Sequence, residues 1–394
     1  MYLTDSDEQT KLRLELREYF ASIMTPRIKH ELRNGPADPD ATAAYREVVR
    51  SLGEAGWLGI GWPVVIGGQG RSTVEQTVFN EEATYAEVPT PLLTINSVGP
   101  VIAAYGTDDQ KEIILKGILR GEIHFAIGYS EAESGTDLAS LRTRAERVGD
   151  EYVINGQKLW TGMMEAADYI WLAVRTDPGA SKHRGISVML VPRHAEGISS
   201  TRLNTLGSNS IAAVSFENVR VPVENCMGGE NNGWAMMTGQ LNSERVALVP
   251  SANVARSLAV VTGYAGNTMT SNGNRLIDEP WVKQNLARVK SELEVLKLMN
   301  GKLATDADSG NLAPADASAA KVFGSELMGR AQTLLNEIVG PDIALSSDAP
   351  GHVLGGQFAK RAGTSNVMTF IGGVNEIQRD LIAQLGLGLP RSNR

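Results

Sequence analysis

The spacing of apolar residues divides the chain into three zones. Leu12, Leu16, Tyr19, Phe20 and Ile23 recur at three- and four-residue steps, the spacing of one face of an α-helix. Thr4 and Asp7 precede that run in the arrangement of a capping box. Helical periodicity continues to about residue 120, interrupted by the glycine-rich stretch WPVVIGGQGRS. No strand-to-helix unit with a dinucleotide fingerprint follows its Gly-Gly-x-Gly, so it reads as a tight turn. From about 122 to 226 the period changes to that of strands. HFAIGYS, EYVINGQKLW, DYIWLAVRT, GISVMLVP and AAVSFENVRVP are β-branched or aromatic runs separated by turn residues. Asn155-Gly156 stands where a hairpin turn is expected, and the close spacing favours an antiparallel sheet or small barrel over a βαβ fold. From about 230 helical spacing returns. Leu286, Val289, Leu293, Leu296, Met299 or Asn300, and Leu303 form the near-heptad stripe of a bundle core.

One run breaks the apolar rule. Met237, Leu241, Glu244 and Leu248 step by four, three and four, which places a carboxylate on the apolar face of a helix. A buried ion pair with a neighbouring helix would account for it. So would a general base facing a water-poor cleft, where burial raises a carboxyl pKa into a useful range.

Composition narrows the classes. At roughly 150 residues per domain, 394 residues predict two or three domains. With 42% hydrophobic and 21% charged residues the chain is an ordinary globular protein. A net charge of −8, with no basic stripe interleaved with aromatics, argues against a nucleic-acid partner. Cys226 is the only cysteine, and His30, His124, His183, His194 and His352 are scattered, so neither a disulfide nor a metal site is expected. Apolar runs such as YIWLAV fall far short of the roughly 20 residues a membrane span needs, and the N-terminus lacks a signal-peptide pattern. The expected setting is cytoplasmic.

Four segments taken in order carry a resemblance: YSEAESGTDLASLRTRAERVGDEYVINGQKLWTG, VSFENVRVPVENCMGGENNGW, LNSERVAL and GGVNEIQRDLI. They resemble the acyl-CoA dehydrogenase family over nearly the whole chain. The resemblance implies a mostly helical α+β fold: an N-terminal helical domain (1–121), a central antiparallel β-domain (122–228) and a C-terminal four-helix bundle (229–394). It also implies FAD, an acyl-CoA substrate dehydrogenated to the trans-2-enoyl-CoA, and an electron-transfer flavoprotein as acceptor. The segment Ile127 to Ser130, including Tyr129, would run beside the flavin ring, with Ser130 near its pyrimidine edge. Gly135 and Thr136 would meet the pyrophosphate, where a bare backbone and a hydroxyl suit a phosphate. Trp160 would pack on the flavin, and Thr161, Asn375 and Glu376 are further cofactor positions.

This chain departs from the family pattern at three places. The hydroxyl residue usual two places after that tryptophan is Gly162 here, with Thr161 one place early. The glutamate that usually serves as base near the C-terminus is replaced by Gly372, which keeps only a backbone N–H for the thioester carbonyl. In a minority of the family the base lies on an earlier helix, and that position falls on Glu244. Arg245 beside it would touch the coenzyme or form a salt bridge. Glycine at 372 also leaves room for a branched or bulky acyl group. Finally, where the family completes the adenine half of FAD with R-x-x-F-G and Q-x-x-G-G, this chain reads Arg275-Leu276-Ile277-Asp278-Glu279 and Glu337-Ile338-Val339-Gly340-Pro341. Acidic groups face a pyrophosphate poorly. The pattern resembles base-bearing subunits of the actinobacterial heterotetrameric (α2β2) dehydrogenases of steroid side chains. An acyl-CoA oxidase-like flavoenzyme and a non-catalytic partner subunit are the alternatives.

Overall fold

The computed structural model describes residues 5–33, 35, 38–206, 211–244, 247–347 and 349–391, with the side chains of 241–244, 357, 359 and 360 outside the description. Helix α1 (Asp7–Ile23) turns Leu12, Leu16 and Phe20 inward, as their spacing predicts. Its cap differs from the expected one. The Ser6 hydroxyl accepts from the Gln9 N–H at 3.2 Å and the Gln9 side chain accepts from the Ser6 N–H at 2.8 Å. The reciprocal box is therefore Ser6/Gln9; Asp7 lies in the first turn, and Thr4 is outside the described residues. Helices α2 (Pro26–Arg33), α3 (Pro39–Glu54), α4 (Thr73–Tyr85), α5 (Gly99–Tyr105), α6 (Asp108–Gln110) and α7 (Lys116–Leu119) complete the N-terminal helical layer. The glycine-rich stretch is a turn: Val64–Ile66 coils into a short 3-10 helix that Gly67 ends at φ 91°.

Eight strands come next: β1 (Phe125–Gly128), β2 (Arg144–Val148), β3 (Glu151–Gly162), β4 (Tyr169–Arg175), β5 (Ile186–Pro192), β6 (Ile198–Arg202), β7 (Ile211–Pro222) and β8 (Cys226–Met227). They form one sheet in the order β6-β7-β3-β2-β4-β5-β8, with β1 against β4. The sheet is antiparallel except where β1 and β2 meet β4 in parallel. The whole β2–β3 hairpin lies between β1 and β4 in sequence and supplies the crossover that a parallel pair requires. Asn155-Gly156 is not the hairpin turn. Strand β3 runs through it, and β2 reverses instead at Gly149, φ 64°. Gly156 sits at a bulge against β7, where an added Cβ would come 2.7 Å from Thr143 Cα. Close approach of backbones, not chain reversal, requires that glycine.

Strand β4 is buried on both faces. Ile170, Leu172 and Val174 join the β-domain core with Tyr152, Val214 and Phe216, while Trp171 and Ala173 join the core under the N-terminal helices. The C-terminal part comprises α8 (Gly233–Glu244), α9 (Ala252–Asn267), α10 (Pro280–Asp308), α11 (Pro314–Val339), α12 (Gln357–Val367) and α13 (Asn375–Leu381). On α10 the buried stripe is Val289, Leu293, Leu296, Asn300 and Leu303, which settles the choice at 299 or 300 for asparagine. Among the described residues no helix is long and apolar enough to cross a membrane.

The helical layer meets the sheet at His124. Its N–H donates to Asp168 Oδ2 at 2.8 Å, its Nε2 lies 3.1 Å from the Gly121 carbonyl, and Arg46 bonds Asp168 Oδ1 at 2.6 Å. Burial, aided by the nearby Arg46 charge, pushes the imidazole down to about 4. The unfolded chain takes up this proton near its ordinary value of about 6.5, so folding stability falls as pH drops from about 6.5 towards 4. We predict that His124→Gln flattens the pH dependence of the urea midpoint across that window; an unchanged slope would place the acid lability elsewhere.

Candidate active site

Helix α8 ends at Glu244, so Leu248 does not extend its stripe. The side chain of Glu244, and all of Arg245, lie outside the described residues. The segment from Leu248 to the start of α9 is well anchored. Val249 O accepts from Asn300 Nδ2 at 3.0 Å. The Val249 side chain packs against Gly324 of α11 so closely that a Cβ there would come 2.8 Å from Val249 Cγ2. The Glu81 carboxylate of α4 accepts the N–H groups of Ser251 and Ala252 at 2.8 and 2.6 Å, capping α9 from another layer. Burial pushes the Glu81 carboxyl upward, against the pull of those bonds.

Between these anchors Leu248 reaches Gly372. A Cβ built on Gly372 would lie 2.5 Å from Leu248 Cδ2. Four residues past Glu244, the chain therefore touches the loop that carries the other candidate catalytic position. Gly372 and Gly373 are both left-handed, at φ 67° and 90°. Their N–H groups donate to no acceptor among the described residues. Gly372 O accepts from Gln378 Nε2 at 3.3 Å, and Gly373 O accepts from Lys321 Nζ at 2.9 Å. Adjacent free amides in a turn suit an oxygen that carries negative charge. The side chain of Asn375 is not free for a cofactor: it is 3% exposed and bonded to Lys321 and Ser325. Glu376 is exposed in the first turn of α13.

The expected flavin side is built on β1 and β3. Tyr129 is buried, and its hydroxyl donates to Gln240 Oε1 at 2.6 Å; Trp171 Nε1 donates to the Tyr129 oxygen at 3.0 Å. The Tyr129 side chain is thus committed to the interior, and its carbonyl takes Lys158 Nζ at 3.0 Å. Lys158 has no solvent exposure and pairs with Glu131 at 2.8 Å. Burial lowers the ammonium to about 8. Burial alone would raise the Glu131 carboxyl, but the Lys158 charge and the N–H groups of Thr143 and Arg142 outweigh it and hold it low. Ile127 is half-buried on β1. Ser130 is half-buried, with neither its N–H nor its hydroxyl engaged among the described residues, while its carbonyl accepts from Leu159 N at 2.8 Å. Gly135 has open space around it and Thr136 is exposed.

Trp160 and Thr161 separate. A β-bulge between Lys158 and Thr161 leaves Trp160 at φ 62°, 57% exposed, and turns Thr161 into the interior. The Thr161 hydroxyl is buried without a partner among the described residues, so it is withdrawn from the surface where Trp160 stands.

FAD fits this arrangement at its ring. Ser130 offers an unengaged N–H and hydroxyl, and Trp160 an exposed indole. The adenine end is different. Arg275 is bound to Asp278 at 2.9 Å, which holds that carboxyl low, and Glu337 accepts from Asn285 at 3.1 Å. Apolar spacing and motif singled out neither Lys158, Gln240, Lys321 nor Gln378.

Known proteins match throughout. Family models for the acyl-CoA dehydrogenase N-terminal, middle and C-terminal domains match residues 6–122, 126–219 and 231–387. The chain belongs to the acyl-CoA dehydrogenase family. It is 50% identical to acyl-CoA dehydrogenase FadE26 of Mycobacterium tuberculosis, over 100% of both chains. The ChsE4-ChsE5 complex from Mycobacterium tuberculosis contains a chain 49% identical, with a TM-score of 0.93 and 100% of each chain covered. A chain of the Tcur3481-Tcur3483 steroid acyl-CoA dehydrogenase is 43% identical at a TM-score of 0.92, again over 100% of each. Membership makes this chain an oxidoreductase of a family of FAD flavoproteins.

Gly372→Ala would force an L side chain into left-handed backbone, at roughly 1–2 kcal/mol, and into Leu248. We expect thioester binding to weaken by roughly tenfold, about 1.4 kcal/mol, with flavin content unchanged. Calorimetric titration of the holoenzyme checks this, and unaltered affinity would remove the loop from the site.

Proposed function

We propose that this chain is the base-bearing subunit of a heteromeric acyl-CoA dehydrogenase that introduces a trans-2 double bond into a bulky acyl-CoA, a steroid side chain being favoured. The observation that carries the reading is the contact of Leu248 with Gly372. Leu248, four residues past Glu244, meets the loop where the family's usual base is absent, which supports a base on α8.

The roles follow from that juxtaposition. Glu244 takes the proton from Cα of the thioester. The Gly372 N–H donates to the thioester carbonyl oxygen, which gains negative charge as the proton leaves. FAD, when bound, supplies the acceptor for the hydride that departs Cβ. Ile127, Ser130 and Trp160 would hold its ring, Gly135 and Thr136 would meet its pyrophosphate, and Arg245 would meet the coenzyme. Electrons pass on to an electron-transfer flavoprotein. The room expected beside a glycine at 372 is taken by Leu248, so the substrate class rests on the relative described as a steroid acyl-CoA dehydrogenase.

The heteromeric part rests on the adenine end and on two relatives that are complexes of two named chains. With Arg275 tied to Asp278, a different subunit would supply the phosphate- and adenine-binding groups.

Two outcomes are expected. Glu244→Gln folds and keeps FAD but lowers kcat by more than about a hundredfold, the range for loss of a general base; activity within about tenfold of wild type sinks the assignment. Purified alone, the chain holds little FAD, and co-expression with a second acyl-CoA dehydrogenase-like subunit restores full occupancy, read from the ratio of flavin to protein absorbance. A homotetramer with tight, full FAD would refute the mixed assembly.

A further inference from the structure

Helix α11 carries a lysine with no solvent exposure. Lys321 Nζ donates to three oxygens: Thr369 O at 3.0 Å, Gly373 O at 2.9 Å and Asn375 Oδ1 at 2.6 Å. An ammonium has three protons and no acceptor, so this set can use its whole capacity. Burying such a group is costly unless its donors are met, and these three acceptors all belong to one short stretch, 369–375. That stretch wraps Gly372.

The stretch is held from inside as well. Asn375 N donates to Thr369 O at 3.0 Å, closing the loop on itself. Gln378 holds Gly372 O from the opposite end. Ser325, one turn along α11 from Lys321, bonds Asn375, and so does Glu326 at 3.2 Å. Glu326 is itself bound to Arg379 at 2.5 Å and lies 3.9 Å from Arg330. The two left-handed residues between these anchors cannot be fixed by side chains of their own.

We infer that Lys321 is a positioning residue for the reaction: its ammonium fixes the Gly372–Gly373 amides and adds positive potential where the thioester oxygen gains charge. The inference rests on the proposed role of the Gly372 N–H as donor to that oxygen. Methionine could fill the same volume and bury as well, yet it would take one donor from each of the three oxygens, leave Gly373 O with none among the described residues, and remove the loop's anchor. In a low-dielectric interior a fixed cation on the loop that would hold the reacting oxygen lowers the cost of forming an enolate.

The test uses the co-assembled holoenzyme and an acyl-CoA analogue with sulfur in place of Cβ. Such a probe can lose its α-proton but cannot yield hydride, and its enolate beside oxidised flavin gives a long-wavelength charge-transfer band. Titrating that band against pH gives the acidity of the bound probe. Lys321→Met should raise this apparent pKa by about one unit or more, roughly a tenfold loss in acidity, while flavin content stays at the wild-type level. Asn375→Asp keeps the lysine and sets a carboxylate against it, so it should raise the pKa in the same sense, and it decides the matter if Lys321→Met does not assemble. Wild-type probe acidity in either assembled variant overturns the inference. If the wild-type holoenzyme itself gives no band, the functional reading fails and takes this inference with it.

Discussion

Leu248 occupies the space that a side chain at residue 372 would need, and the organisation of the site depends on that contact. A carboxylate at 372 would have to sit on left-handed backbone and displace the leucine, so proton abstraction cannot come from there without rebuilding both segments. The same contact joins the segment before α9 to the loop before α13. Around it the chain is fixed from four directions: Asn300 on Val249 O, Glu81 on the start of α9, Lys321 on Gly373 O and Gln378 on Gly372 O. None of these anchors is apolar. Backbone polar groups removed from water must be paired, and side chains from α4, α10, α11 and α13 pair them here.

The parts of the fold legible in the sequence are those governed by repetitive burial. The stripes on α1 and α10 and the strands of the sheet follow because one face, or in β4 both faces, meets a core. The misread points are those where a neighbour remote in sequence decides. Asn155-Gly156 has turn chemistry, but Thr143 presses against it and makes it a bulge. Helix α8 has apolar spacing beyond Glu244, yet Leu248 leaves the helix to meet Gly372. Local propensity is a weak prior, and packing against a distant segment overrides it.

The buried lysines escape a reading of apolar spacing for a related reason. A lysine is taken by default as a solvated residue, since the type is almost never fully buried unless paired. Its position gives the missing signal. On α11, Ala317, Ala320, Lys321, Gly324 and Ser325 share the buried side, so Lys321 stands on a small-residue stripe, as sequence spacing alone puts Glu244 on an apolar one. On β3, Lys158 occupies an inward place between Ile154 and Thr161. The criterion that singles out Glu244, a charge at the wrong phase, finds both.

Strain and electrostatics divide the cofactor surface into two halves of different character. At the ring end the chain tolerates an unfavourable backbone at Trp160, and a bulge that buries the Thr161 hydroxyl unpaired, to keep a large indole facing outward. Such outliers persist only where surrounding structure over-determines them, and here β7 on one side and the Lys158–Glu131 pair on the other do so. At the adenine end nothing comparable is held in readiness among the described residues. Arg275 already has its carboxylate in Asp278, to which Lys283 also lies within 3.6 Å. Strain is maintained around Trp160 while Arg275 is neutralised within its own chain, so the two segments differ in what they leave open to a ligand.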